Sequence, residues 1–326
     1  MTERKTGLAV EQELISPLLM RFRLQPEPGS PFHNYTAGQY IALRRDDCKL
    51  TRKTGFAPDG KATYEPELDP WGRQTLGPVT HAYSIASAPS ETAEFGWLEF
   101  LVALEYGIHG LPGRLSEALF GMNDEAGCEV SYMDRFAGDF TLEARVKQAE
   151  NVLMVGTGTG VAPFVSMMKE LHARADPGND RRYTLVHTHR TEAELAYHKA
   201  LFDIEVAGRV DFVYIPTLSR PTATTATGQR VGQGRASNVI RHLYDLPTTE
   251  QDKLANARGE VAVAAANLAL ERLVHPVLPN HLSTSELKTR IEPSQSVLLA
   301  CGNPASMADL QSTAAHLDLR CEQEAW

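Results

Sequence analysis

The stretch NVLMVGTGTGVAP, residues 151–163, constrains the fold more than any other. A continuous apolar run leads directly into a glycine turn. An uninterrupted apolar run ended by glycine predicts a strand covered on both faces, and therefore a parallel sheet flanked by helices. Behind the turn, Phe164, Met167, Met168 and Leu171 recur at helical spacing. Pro163 falls in the first helical turn, where its missing N–H costs little.

The same texture repeats to the C-terminus. YTLVHT (183–188), VDFVYIP (210–216) and SVLLAC (296–301) read as further buried strands, and 192–206, ASNVIRHLY and 304–317 as helices. Strand–helix alternation of this kind predicts an α/β domain with a parallel sheet. Upstream of residue 150 the pattern differs. Segments 8–24, 39–43, AYSIAS, GWLEFLVAL, GCEVSYM and FTL are short strands separated by Gly, Pro and Asp, with helical periodicity only at 115–120. This predicts a small antiparallel β-barrel. The polar stretch EARVKQAE (143–150) is the expected linker, giving domains at 1–147 and 148–326. Segments 44–80 and 246–295 read as long connections, the second with an Ala-rich helix around 250–274, and loops of such length are usually functional or disordered.

Length and composition narrow the function classes. A chain of 326 residues with 42% hydrophobic residues has material for two cores. A formal net charge of −9 argues against non-specific nucleic-acid binding. No apolar stretch approaches the ~18 residues of a membrane span, and MTERKTGLAV lacks a signal h-region, so the expected location is cytoplasmic with no membrane partner. Cys48, Cys128, Cys301 and Cys321 form no CxxC pair, which leaves no iron–sulfur or zinc motif. His187, His189 and His198 lack a clear third-ligand pattern and read as structural or pocket-lining, so no metal is expected.

Glycines and cations point to phosphate chemistry. Gly156, Thr157, Gly158 and Thr159 open a helix, where free N–H groups and a positive dipole end favour an anion. Val161 stands where a third fingerprint glycine would be. Arg190, Ser219, Arg220 and Arg235 follow strand ends and form a set able to hold a 2′-phosphate, so NADP(H) and a strong NADPH preference are expected. In PGRLSEAL, Gly113, Arg114, Leu115 and Ser116 suit either a second phosphate or plain helix capping. HAYSIASAP sets Tyr83 beside Ser84, an aromatic face and a hydroxyl that fit a flat ligand or an ordinary strand end equally well.

These motifs, taken in order, resemble the ferredoxin–NADP reductase superfamily, and most closely its bacterial ferredoxin/flavodoxin–NADP reductases. HAYSIAS is similar to the family's R-x-Y-S flavin motif and GRLSEAL to its G-x-x-S pyrophosphate motif. VLMVGTGTGVAPFVSM resembles the NADP phosphate loop, LVHTHRTEAELAYHKAL and PTLSRP the adenosine side, and LLACGNPASM the C-G-x-P motif beside the nicotinamide. MDRFAGDFTL resembles the loop closing the flavin domain, and the terminal Trp326 also recurs in the group. The motif arginine is His81 here, with Arg52, Lys53 or Arg73 as candidate substitutes for its charge. Were His81 to face the pyrophosphate, FAD affinity would weaken with rising pH.

The resemblance implies an antiparallel flavin-binding β-barrel followed by a Rossmann-like NADP-binding domain, with FAD and NADP(H) as cofactors. It implies FAD contacts from His81, Ala82, Tyr83, Ser84, Gly113, Arg114, Leu115, Ser116 and Trp326. It implies NADP contacts from Gly156, Thr157, Gly158, Thr159, Arg190, Ser219, Arg220, Arg235, Cys301 and Gly302. Ser84, Cys301, Trp326 and Glu324 are the implied catalytic group. The implied reaction moves hydride between NADPH and FAD and single electrons to ferredoxin or flavodoxin. The positive charge of Arg44, Arg45, Lys49, Arg52 and Lys53 reads either as part of a docking face for an acidic carrier or as a solvated loop. Alternatives with the same fold are a reductase feeding an oxygenase and an NAD(P)H:flavin or quinone reductase. A flavin-binding electron-transfer or regulatory subunit is the non-enzymatic alternative.

Overall fold

The structure, a computed structural model, describes residues 4–57, 62–106, 111–125, 127–222 and 230–325. Contacts divide the chain into two units, Met1–Gly138 and Asp139–Trp326. Residues 139–147, which precede the expected linker end, pack within the second unit. There Arg145 bonds the Asp139 side chain and lies 3.0 Å from a Glu322 carboxylate oxygen. Among the described residues no helix is long and apolar enough to cross a membrane.

The first unit contains β1 (Arg4–Ser16), β2 (Leu19–Pro26), β3 (Tyr40–Lys49), β4 (Thr51–Phe56), β5 (Ala62–Pro66), β6 (Leu76–Ser84), α1 (Pro89–Phe95), β7 (Leu98–Ala103), α2 (Arg114–Phe120) and β8 (Glu129–Met133). Six of the strands form one antiparallel sheet in the order β6-β3-β8-β1-β2-β7. Met20, Phe22 and Leu24 alternate inward along β2 and meet Ile41, Leu43, Phe100 and Val130 in a buried core. The residues just after β6 are tied to β7, at the other end of the sheet order. The Ala86 N–H donates to the Glu99 carbonyl at 2.8 Å, and the Glu99 N–H donates to the Ser87 hydroxyl at 3.1 Å. This is the expected barrel.

Two sequence-based readings are corrected. Residues 44–80 are not a plain loop, since they extend β3, form the β4–β5 hairpin and enter β6. FTL is not a strand. Thr141 caps the short helix α3 (Leu142–Val146), its hydroxyl accepting from the Ala144 N–H.

The second unit continues with β9 (Asn151–Thr157), α4 (Ala162–Arg174), β10 (Arg182–His189), α5 (His198–Ala207), β11 (Phe212–Leu218), β12 (Gly232–Gln233), α6 (Ala236–Leu243), α7 (Thr249–Asn256), α8 (Glu260–Glu271), α9 (Thr284–Arg290), β13 (Ser296–Gly302), α10 (Pro304–His316) and β14 (Arg320–Ala325). All six strands are parallel, in the order β12-β11-β10-β9-β13-β14. Every residue of β9 and β13 is buried, as strands with helices on both faces require. One face packs Leu153, Val155, Ile215 and Leu298 against α6, α9 and α10. Phe164, Met167 and Met168 of α4 and Leu201 of α5 are buried as well.

The chain reverses direction across the sheet at one place. From β9 it builds outward through β10, β11 and β12, then crosses back to lay β13 on the other side of β9. Segment 246–295 is ordered by fully buried Arg241, which bonds the Pro247 carbonyl at 2.7 Å, Asp252 on α7 and Thr313 on α10. The Ala-rich stretch is two helices, α7 and α8, with Gly259 at φ 82 between them.

Candidate functional site

In an open parallel sheet the crevice outside the strand C-termini, where strand order reverses, is the natural place for a ligand. Here that place lies between β9 and β13. The turn Gly158–Val161 is a single 3₁₀ turn leading into α4. Gly160 packs so closely on β13 that an added Cβ would lie on the Cys301 carbonyl and 2.7 Å from the Gly302 nitrogen. A Cβ on Gly302 would run into the Thr157 hydroxyl. Gly156, Thr157, Gly158, Thr159, Cys301 and Gly302 are thereby brought to one crevice. The Thr157 hydroxyl is buried there without a hydrogen-bond partner among the described residues. An unpaired buried hydroxyl in a glycine-lined cleft is costly unless something polar binds there.

The expected 2′-phosphate set is differently arranged from the sequence reading. Ser219 and Arg220 are linked to the end of β10 by backbone bonds, the Ser219 N–H to the His189 carbonyl at 2.8 Å and the Arg220 N–H to the Arg190 carbonyl at 2.9 Å. Arg190, however, lies 3.3 Å from Glu194, and Arg235 lies 3.4 Å from buried Glu250. Arg220 is exposed and has no carboxylate partner among the described residues. Sequence reasoning missed both acids. Glu194 carried a signal, because it stands four residues after Arg190, whereas Glu250 is brought to Arg235 only by the fold. Arg230, also passed over, lies over the Phe202 ring at 4.5 Å.

His187 and His189 are buried, as a structural reading requires, and their rings meet edge-on at 5.5 Å. His187 bonds the Tyr214 hydroxyl at 3.0 Å, and burial keeps it well below its ordinary pKa. Among the described residues no group of three or more His, Cys, Asp or Glu side chains is arranged to hold a metal.

In the first unit, β6 is an end strand of the sheet, and it carries His81, Ala82, Tyr83 and Ser84. Strand alternation puts His81 and Tyr83 on the face shared with buried Val79, and Tyr83 packs on the core. Burial, with Glu105 and Cys48 nearby, raises the Tyr83 pKa and keeps the phenol neutral. Partial burial and then the Arg114 guanidinium lower the His81 pKa, against an opposing pull from Glu105. Arg114 makes no ion pair with the described residues, so it is the open cation beside His81.

The three residues expected to replace the motif charge, Arg52, Lys53 and Arg73, have partners elsewhere. Arg73 bonds Asp69 at 3.0 Å, Arg52 lies 3.9 Å from Glu65, and Lys53 sits over Phe56. Leu115 is core. Ser116 donates to the Gly113 carbonyl at 3.1 Å and accepts from the Glu105 N–H at 3.4 Å. Arg45 is also corrected as a docking residue. It is 7% exposed, forks onto Asp47 and donates to the Gly127 and Glu129 carbonyls. Arg44 pairs with Asp46, and Lys49 with Glu117.

Glu324 lies on β14, parallel to β13 with Cys301 opposite. Burial and then Asp139 push its carboxyl up to about 7, Arg145 opposing. Trp326 lies outside the described residues.

Residues 154–257 match the model of the oxidoreductase NAD-binding domain. No curated protein matches the chain significantly. Among solved structures, a ferredoxin NADP+ reductase from Neisseria gonorrhoeae with bound FAD and NADP is similar over 100% of this chain and 99% of its own, at TM-score 0.60 and 16% identity. The chain shares the fold of this reductase. Two more structures with this fold are the flavohaem-like FAD/NAD-binding domain of nitric oxide dioxygenase from Vibrio cholerae (TM-score 0.59, 16% identity, 99% and 98% covered) and the cytochrome b5 reductase domain of Ulva prolifera nitrate reductase (0.55, 13%, 99% and 97%). In that fold β1–β8 form the barrel and β9–β14 the parallel-sheet domain.

Proposed function

We propose that the chain is an FAD-dependent NAD(P)H oxidoreductase that delivers electrons to a small carrier protein, with domains close to 1–147 and 148–326. The observation that carries this reading is the β9/β13 crevice, whose unpaired Thr157 hydroxyl and glycine turn fall within the segment 154–257 that matches an oxidoreductase NAD-binding domain. Gly158 and Thr159 offer backbone N–H groups to a pyrophosphate, and Arg220 offers the adenosine side a cation.

The β6 edge fits FAD by its donor set. Arg114 supplies a permanent charge for the pyrophosphate, Tyr83 a neutral ring for the flavin face, and Ser84 a hydroxyl for its edge. When bound, FAD supplies the conversion of two-electron hydride chemistry into one-electron steps. The chain's own part is to bind, orient and handle protons. Glu324, titrating near neutrality, is suited to exchange a proton close to Cys301.

Ferredoxin or flavodoxin is the proposed acceptor. A second reading, a reductase serving a haem or oxygenase partner, is favoured by one observation. The cationic run expected to dock an acidic carrier is locally compensated by Asp46, Asp47 and Glu117. Anaerobic NADPH titration of the FAD-loaded protein, followed by addition of ferredoxin, flavodoxin, free flavin or quinone, separates the readings. Fast transfer to ferredoxin or flavodoxin supports the first. Transfer to small acceptors alone contradicts it.

A further inference from the structure

We infer that the bridge from His187 through Tyr214 to His198 is an acid-sensitive latch, closed at neutral pH and released, freeing α5 from the sheet, when its imidazoles take up protons.

The bridge joins the sheet to the helix that covers it. His187 lies on β10 and is fully buried, Tyr214 lies on β11 and is buried as well, and His198 is the first residue of α5. The Tyr214 hydroxyl lies 3.0 Å from His187 Nδ1 and 3.3 Å from His198 Nδ1. A hydroxyl has one proton to donate, so it serves one imidazole as donor and the other as acceptor. Two imidazolium rings would direct two N–H donors at one oxygen and leave the hydroxyl proton without an acceptor.

The surroundings offer a charge on His187 no compensation. Its Nε2 is buried without a hydrogen-bond partner among the described residues, so an imidazolium there carries an N–H that nothing receives. Its register partners on β9 and β11, Gly156 and Pro216, are uncharged. Burial, then the neighbouring His189 and His198, keep it well below its ordinary pKa. The acids nearby are engaged elsewhere. Glu205 of α5 accepts from the Tyr214 backbone N–H at 2.8 Å, and Glu194 faces His189 and Arg190. On the α4 side the charged group is Lys169, over the Tyr197 ring. Burial also lowers the pKa of His198, with Glu192 opposing and Arg230 reinforcing the shift. Its place at the positive end of α5 disfavours the imidazolium further.

An opened α5 returns both rings to water and to the ordinary imidazole value of about 6.5. Below that pH the open form binds more protons than the closed one. The latch therefore holds in full at neutral pH and weakens as pH falls. One imidazole that protonates only when open raises the opening constant by about tenfold between pH 7.5 and pH 5.5. Residues 190–194 connect β10 to α5, so the same opening frees the chain directly after β10.

The test is amide hydrogen exchange of the full chain at pH 7.5 and pH 5.5, corrected for intrinsic exchange, with α10 as the internal reference. It needs neither cofactor nor turnover. In wild type the opening constant of α5 should rise by about tenfold or more on acidification, and that of α10 by less than about threefold. His187→Phe should cut the rise in α5 to less than about threefold. Equal changes in α5 and α10, no rise in α5, or a full rise that survives in His187→Phe overturns the inference. If His187→Phe does not fold, nuclear magnetic resonance of the wild-type imidazole nitrogens decides. A His187 ring that stays neutral in the closed protein down to pH 5.5 supports the latch, and one that protonates there above pH 5.5 overturns it.

Discussion

The turn at Gly160 and the Cys301–Gly302 peptide are packed backbone against backbone, with no room for a side chain between them. β9 and β13 are thus locked together at their C-terminal ends. Gly160→Ala should destabilise the second unit by about 1–3 kcal/mol, the usual cost of overpacking a rigid site. Denaturant unfolding measures this, and a variant as stable as wild type would show that the contact can relax.

Arg220 should dominate recognition of a 2′-phosphate, because Arg190 and Arg235 already face carboxylates. Arg220→Ala should raise the KM for NADPH by about tenfold or more, with the KM for NADH nearly unchanged. Steady-state kinetics with both nucleotides check it. Equal losses for both would assign Arg220 a general role.

The flavin side gives a similar contrast. Arg114 is open and permanently charged, whereas His81 is held below its ordinary pKa by partial burial and by Arg114. Arg114→Ala should weaken FAD binding by about tenfold or more, and His81→Gln by less than about threefold at both pH 6 and pH 8. FAD titration reads both. A large loss in His81→Gln at pH 6 alone would restore the histidine as the charge-bearing contact.

Glu324 should make stability depend on pH with a defined sign. Its folded pKa, pushed up to about 7, lies above the unfolded value, so the native state binds more protons between the two. Stability from this group is therefore greatest in acid and declines as pH rises from the ordinary carboxylate range through about 7. Glu324→Gln should remove that decline. Unfolding at pH 5 and pH 8 in both proteins isolates it, and parallel curves would show that the carboxyl titrates normally.

What was legible in the sequence follows from the kind of burial each element has. β9 and β13 are covered on both faces, so their residues had to be apolar and the run announced itself. β14, RCEQEA, is an end strand whose pairing rests on backbone bonds to β13, and its sequence carries no apolar run. The β4–β5 hairpin is largely exposed, and its Gly, Pro and charged residues read as loop. FTL misled because Thr141 is a cap, and a cap and a strand end look alike without the turn that follows. At the candidate site the glycine turn and the strand-end arginines were legible. The partners Glu250 for Arg235 and Arg114 for His81 were not, because each is brought together by tertiary folding.

The central claim is that this chain moves reducing equivalents from a pyridine nucleotide to a flavin held on β6. Mixing the FAD-loaded protein with one equivalent of NADPH or NADH without oxygen, and following the visible flavin absorbance, tests it most directly. Rapid bleaching by NADPH is expected, slowed in Gly160→Ala and in Arg220→Ala. A protein that binds FAD yet keeps its full absorbance with either nucleotide would contradict it.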